Sequence, residues 1–66
     1  MIELRELLEI IHNNQLTRIE DENGSLSEGK VKDILADDYI QEWMDSEVSE
    51  IKFDYKADLV TVVVED

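Results

Sequence analysis

The sequence predicts a small α+β domain, a four-stranded, mainly antiparallel sheet with its helices on one face. Three observations predict it. Apolar residues recur at helical spacing near the N-terminus and again near Trp43. They alternate with charged residues at period two from Ile51 to Tyr55. Turn signals at Asn23-Gly24 and at Lys56–Asp58 split extended runs into two hairpins. The element order is helix, hairpin, helix, hairpin, and 66 residues make one domain, 1–66.

The first helix rests on Leu4, Leu7, Leu8 and Ile11, spaced i, i+3, i+4, i+7. Glu3, Arg5, Glu6 and Glu9 occupy its other side. Glu3 and Glu6 suit the positive end of the helix dipole. Asn13 and Asn14 are candidate stops, since Asn tolerates the left-handed cap conformation. The next run, Leu16–Asp21, is a strand, and Ser25–Val31 returns after Asn-Gly, both of whose residues accept positive φ. Gly29 marks a bulge or the strand end. Ile19, Leu26 and Val31 are the core candidates of this hairpin.

A second helical region is expected over Asp33–Asp45, either one short helix or two turns broken near Ala36. Asp37 and Asp38 stand where its first turn wants carboxylates, and Asp38 with Gln41 has capping-box spacing. Ile40, Trp43 and Met44 form its apolar face, with Leu35 and Tyr39 beside it. The last third predicts strands Val48–Tyr55 and Leu59–Val64 around Lys56–Asp58. The final strand is apolar on both faces at Val62, Val63 and Val64. That fits a central strand, or an edge covered by another chain and so a route to a homo-oligomer.

The balance of 18 acidic against 6 basic residues gives a formal charge of −12. Six dispersed cations cannot form the positive patch that phosphate contact demands, which argues against direct nucleic-acid binding. Disorder is the usual companion of such charge. Here 42% of residues are hydrophobic, Pro is absent and the apolar residues are periodic, so a folded domain is expected. Without cysteine there is no disulfide framework and no thiolate chemistry. No apolar run approaches the ~20 residues of a membrane span. The N-terminus reads as helix and not as a signal peptide, and a cytoplasmic setting is expected.

The helix ELRELLEII, the Asp-Glu-Asn-Gly turn, the strand ending Glu-Gly-Lys-Val, the short acidic helix and the terminal hairpin together carry a likeness. The chain resembles the small acidic proteins of unassigned function encoded by phages and prophages of Gram-positive bacteria. The resemblance covers most of the chain and implies an intracellular, accessory role in phage or host biology. It carries no functional residues over.

No catalytic constellation emerges, so the chain reads as a non-enzyme. With Gly24 at the sixth position of a calcium loop, Asp21 and Asn23 fall on ligand positions. Ile19 and Lys30 then occupy positions one and twelve, where carboxylates are required. His12 is the single imidazole and has no partners for a zinc set; the end of the first helix suits it through the dipole. Ser25, Ser27, Ser46 and Ser49 have no evident base. Neither a cofactor nor a metal is expected.

The second half holds the charge. Residues 1–33 carry 8 acidic and 4 basic side chains, net −4; residues 34–66 carry 10 and 2, net −8. On an α-helix Asp38, Glu42 and Asp45 would share an exposed face. Trp43, Met44, Tyr39 and Tyr55 read first as core. Trp and Tyr also serve as interface anchors, and an acidic rim steers basic partners. The candidate partner surface is therefore Asp37, Asp38, Glu42, Asp45, Glu47 and Glu50 with Trp43 and Tyr39. Two functions follow: a module that binds a protein partner or associates with itself, or a nucleic-acid mimic that occupies the basic groove of a DNA-binding protein.

Overall fold

The computed structural model describes residues 2–65. Helix α1 spans Leu4–Ile10, strand β1 Leu16–Asp21 and strand β2 Gly24–Lys30. Helix α2 (Val31–Leu35) and a 3-10 helix (Tyr39–Trp43) follow, then strands β3 (Glu47–Asp54) and β4 (Leu59–Glu65).

The sheet order is β2-β1-β4-β3. Each hairpin is antiparallel, but the inner strands β1 and β4 run parallel, with Ile19 beside Val62. The sheet is thus mixed, which corrects the expectation of a mainly antiparallel one. The cause is the connection Val31–Ser46, which carries the chain from one sheet edge to the other. A parallel relation needs a crossover of about a dozen residues or more, and this segment supplies it. Strand periodicity specifies each hairpin and is silent on how a crossover orients the second one.

The simple alternation of one helix with one hairpin also fails. The helical region expected over Asp33–Asp45 starts at Val31 and is broken near Ala36, the second of the two expected forms, into α2 and the 3-10 helix. Asp37 makes the break: its Oδ1 accepts the Tyr39 N–H at 3.0 Å, and such local bonds compete with helical ones. Asp38 makes no side-chain cap. The Gln41 amide donates instead to the Leu35 carbonyl at 3.1 Å, so no Asp38–Gln41 capping box forms.

The core lies on one face of the sheet. Thr17, Ile19, Val62 and Val64 point from the central strands toward Leu4, Leu7 and Leu8 of α1, Val31 and Ile34 of α2, and Ile40 and Met44. Thr17 is the one buried polar residue among those described, and its hydroxyl donates to the Gln15 carbonyl at 3.2 Å. Ile19 and Val31 are fully buried as expected, while Leu26 is half-buried beside the register shift in the first hairpin. That shift lies between Ile19 and Glu20, and Gly29 marks the end of β2, the second of its two expected roles. β4 occupies the centre, hydrogen-bonded on one side to β1 and on the other to β3. Its two apolar faces are those of an inner strand, and it has no open edge for a second chain.

Both helix starts are tied to distant backbone, because their first N–H groups have no partner inside the helix. Leu4 and Arg5 N–H donate to the Ser46 and Met44 carbonyls at 2.9 and 3.0 Å. Val31 and Lys32 N–H donate to the Gln15 and Asn13 carbonyls at 3.2 and 3.0 Å. At the far end of α1, His12 Nδ1 accepts the Asn14 N–H at 3.0 Å, a local turn bond where a dipole contact was expected.

The turns differ in their strain. At the turn of the first hairpin Gly24, at φ 128°, takes positive φ; Asn23 does not, contrary to its expected role. The Asn23 N–H is held instead by Asp21 Oδ1 at 2.8 Å. In the second turn Asp54 Oδ1 accepts the N–H groups of Lys56 and Ala57 at 3.0 and 3.3 Å, and Asp58 adopts φ 52°. Asp58→Gly is expected to stabilise the domain by about 0.5–1 kcal/mol, because the left-handed conformation costs a side chain about 1–2 kcal/mol and glycine's unfolded-state entropy returns part of it. Thermal denaturation of the variant against wild type checks this. The Gln15 amide bond to the Asp58 carbonyl, 2.8 Å, survives the change.

The other sheet face is uncovered. Leu16, Leu59, Thr61 and Val63 lie there among charged residues. Arg18 Nε donates to Glu28 Oε1 at 2.6 Å across the strands. That bond, then the Glu28 charge, raises the guanidinium pKa above its ordinary value. Among the described residues no helix is long and apolar enough to cross a membrane.

Candidate interaction surface

The six carboxylates expected to form one surface divide among three places. Glu42, Asp45 and Glu47 come together around an open depression that also takes in Ser46 and Glu65. Register explains the grouping. Glu47 lies directly opposite Glu65 in the β3–β4 ladder and bridges to Glu3 on its other side. Three acidic residues therefore stand side by side across the β4–β3 pair and its isolated bridge to Glu3, with backbones about 5 Å apart. Like charges directly opposite destabilise a sheet. One local cation relieves the cluster, since Arg5 sits 3.2 Å from Asp45 in an exposed pair.

Asp37 belongs elsewhere. It is half-buried, and both its oxygens are engaged: Oδ1 with the Tyr39 N–H and Oδ2 with the Ser27 hydroxyl at 3.4 Å. Its role is to fix the bend between α2 and the 3-10 helix. Asp38 is exposed at that bend. Glu50 pairs with Val63 and so points to the uncovered sheet face, 3.9 Å from Lys52. The expected stripe of Asp38, Glu42 and Asp45 does not form, because a 3-10 helix has about 3 residues per turn and the i, i+4 rule for sharing a face no longer applies.

The aromatic residues also separate. Met44 is buried, Trp43 is half-buried against the core, and Tyr39 and Tyr55 are exposed, which corrects the reading of all four as core. Tyr39 is 54% exposed and its ring lies 4.9 Å from that of Trp43, tilted by 50°. The pair walls an open depression with Leu26, Asp21, Asn23 and Ser25 of the first hairpin. The depression thus has an apolar, aromatic floor and one lining carboxylate, Asp21, whereas Glu42 lines the other depression with Asp45 and Glu47.

The calcium-loop alignment corresponds to an ordinary turn, in which Asp21 holds the Asn23 N–H. Among the described residues no three His, Asp or Glu side chains are grouped to hold a metal ion. Two features escaped sequence reasoning. The cross-strand row Glu3–Glu47–Glu65 depends on strand register. The wall supplied by Asp21 and Leu26 depends on where the crossover lays the 3-10 helix.

Comparison with protein-family models, with curated proteins and with solved structures gives no match.

Proposed function

We propose that this chain is a small cytoplasmic interaction module, an accessory protein that binds a basic protein partner at the Tyr39–Trp43 surface. One observation carries the reading: an exposed tyrosine tilted against a half-buried tryptophan, in an open depression that the Asp21 carboxylate also lines. Aromatic anchors of this kind supply binding energy in small interfaces. A net charge of −12 accelerates encounter with a cationic surface and disfavours acidic ones. The resemblance to phage-encoded proteins supplies the setting in which such a partner would be sought.

The nucleic-acid mimic is the second reading, favoured by the net charge and by the row Glu3–Glu47–Glu65. A mimic works through charge alone, whereas the aromatic surface adds a contact that salt does not screen.

The test uses the full chain as bait against lysate from its source cells, beside Tyr39→Ser. Retention of a basic protein by the wild type, reduced at least about tenfold in Tyr39→Ser, supports the module. Retention of a DNA-handling protein that is unchanged in Tyr39→Ser and lost steeply with salt replaces the module by the mimic. Retention of nothing specific overturns both.

A further inference from the structure

β3 is an edge strand with an unusual composition. Its outer edge is occupied only at the start, where Glu3 bridges to Glu47 and the Val48 N–H donates to the Ile2 carbonyl at 2.9 Å. Among the described residues nothing pairs with that edge from Ser49 to Asp54. Ile51 and Phe53 face the helix side, since they pair with Val62 and Val60, yet no helix reaches them. They are 52% and 44% exposed. Tyr55, 87% exposed, lies just past the strand and packs edge-on against Phe53, with ring centroids 4.7 Å apart. The opposite edge strand, β2, offers Ser25, Ser27, Glu28 and Gly29 instead. An exposed apolar edge is a template for another strand.

We propose that a second copy of this chain occupies the β3 edge, antiparallel, about a two-fold axis at Phe53. A two-fold axis fixes the partner of every residue, and residues opposite each other share a face. With Phe53 on the axis, Lys52 meets the second copy's Asp54 within the strand, and Ile51 and Glu50 lie toward its Tyr55 and Lys56, at the start of the turn that follows the strand. Each of these contacts occurs twice, and every one joins opposite charges or two apolar groups. Other axes fail. At Lys52 the ammonium groups oppose each other and Glu50 opposes Asp54. At Ile51, Lys52 does meet Glu50, but the exposed Phe53 falls against Ser49, which sits in the bulge between Val48 and Glu50, and Asp54 falls against Val48. The edge strand thus carries a complementary pattern within a chain whose net charge of −12 otherwise opposes self-association. This surface is separate from the Tyr39–Trp43 depression and stands without it.

Sedimentation equilibrium at about 0.15 M salt tests the assignment, because screening over about 8 Å lets two such anionic bodies approach. The contact is small and belongs with weak, reversible associations, so mass is read from about 10 μM to 1 mM. The wild type is expected to run as a dimer at the upper end. Lys52→Glu and Asp54→Lys each create two like-charge pairs, and each is expected to weaken association at least about tenfold. Mixing the two variants restores opposite charges at both positions, and the dimer returns. A wild type that stays monomeric throughout overturns the proposal. So does a dimer that neither variant weakens, or one that Asp54→Lys tightens, which would put the axis at Lys52. Asp54 also holds the turn, so circular dichroism is recorded on each variant. Should Asp54→Lys fail to fold, Glu50→Lys and Lys56→Glu give the same readout through the outer pair.

Discussion

A chain ended at Leu59 is expected to lose cooperative unfolding altogether. The deletion removes Val62 and Val64, 0% and 2% exposed, from the core. Burial of a valine side chain contributes about 1.5–3 kcal/mol. A domain of this size has a total stability of about 3–10 kcal/mol, at roughly 0.05–0.15 kcal/mol per residue. The core loss alone takes much of that margin, and the topological loss is larger. β4 is the neighbour of both β1 and β3. Without it β3 has no strand beside it, and β1–β2 remains as a two-stranded hairpin, which is marginal in water. Far-ultraviolet circular dichroism during a thermal melt reads the outcome. A retained sigmoidal melt would mean that the sheet is not organised around β4.

The same strand shows where the sequence was legible and where it was not. Val62–Val64 is apolar on both faces, and that pattern belongs to an inner strand. The hairpin at Asn23-Gly24, the α1 face of Leu4, Leu7 and Leu8, and the alternation of Ile51 and Phe53 were equally readable, because each depends on neighbours close in the chain. The parallel pairing of β1 with β4 was not. It arises from the path of Val31–Ser46, and no local periodicity encodes that path. The exposure of β3 was hidden for a related reason. Ile51 and Phe53 do face the helix side, as alternation implies, but the helices stop short of β3. Facing the core side of a sheet and being covered are different properties, and only the second needs the tertiary structure. The acidic surface divides on similar grounds. Asp38, Glu42 and Asp45 share a face on an α-helix, and the Asp37 bend removes that helix. Glu3 and Glu65, which flank Glu47 in register, are distant from it in sequence, and only strand pairing brings them beside it.

Ile40→Ala is expected to cost about 2–4 kcal/mol, the range for truncating a fully buried isoleucine. Ile40 is 0% exposed and the 3-10 helix has few other holds on the core. Its five residues are too short to be stable alone, since isolated helices are marginal below about 12–15 residues. Ile40 and the adjoining Met44 bury it, and Trp43 only half-seals its edge. The substitution therefore acts on function through placement. Tyr39 and Trp43 keep their chemistry, but the element that sets their rings 4.9 Å apart beside Leu26 and Asp21 loses its anchor. Two readouts separate the effects. Urea denaturation gives the stability loss. Trp43 fluorescence, from the one tryptophan in the chain, reports the ring's environment in the native state. A red-shifted native emission together with weakened partner binding is expected. An unchanged emission with the full stability loss would mean that the surface is set by the Asp37 bend, whose bonds to Tyr39 and Ser27 remain intact, and that Ile40 contributes to the core alone.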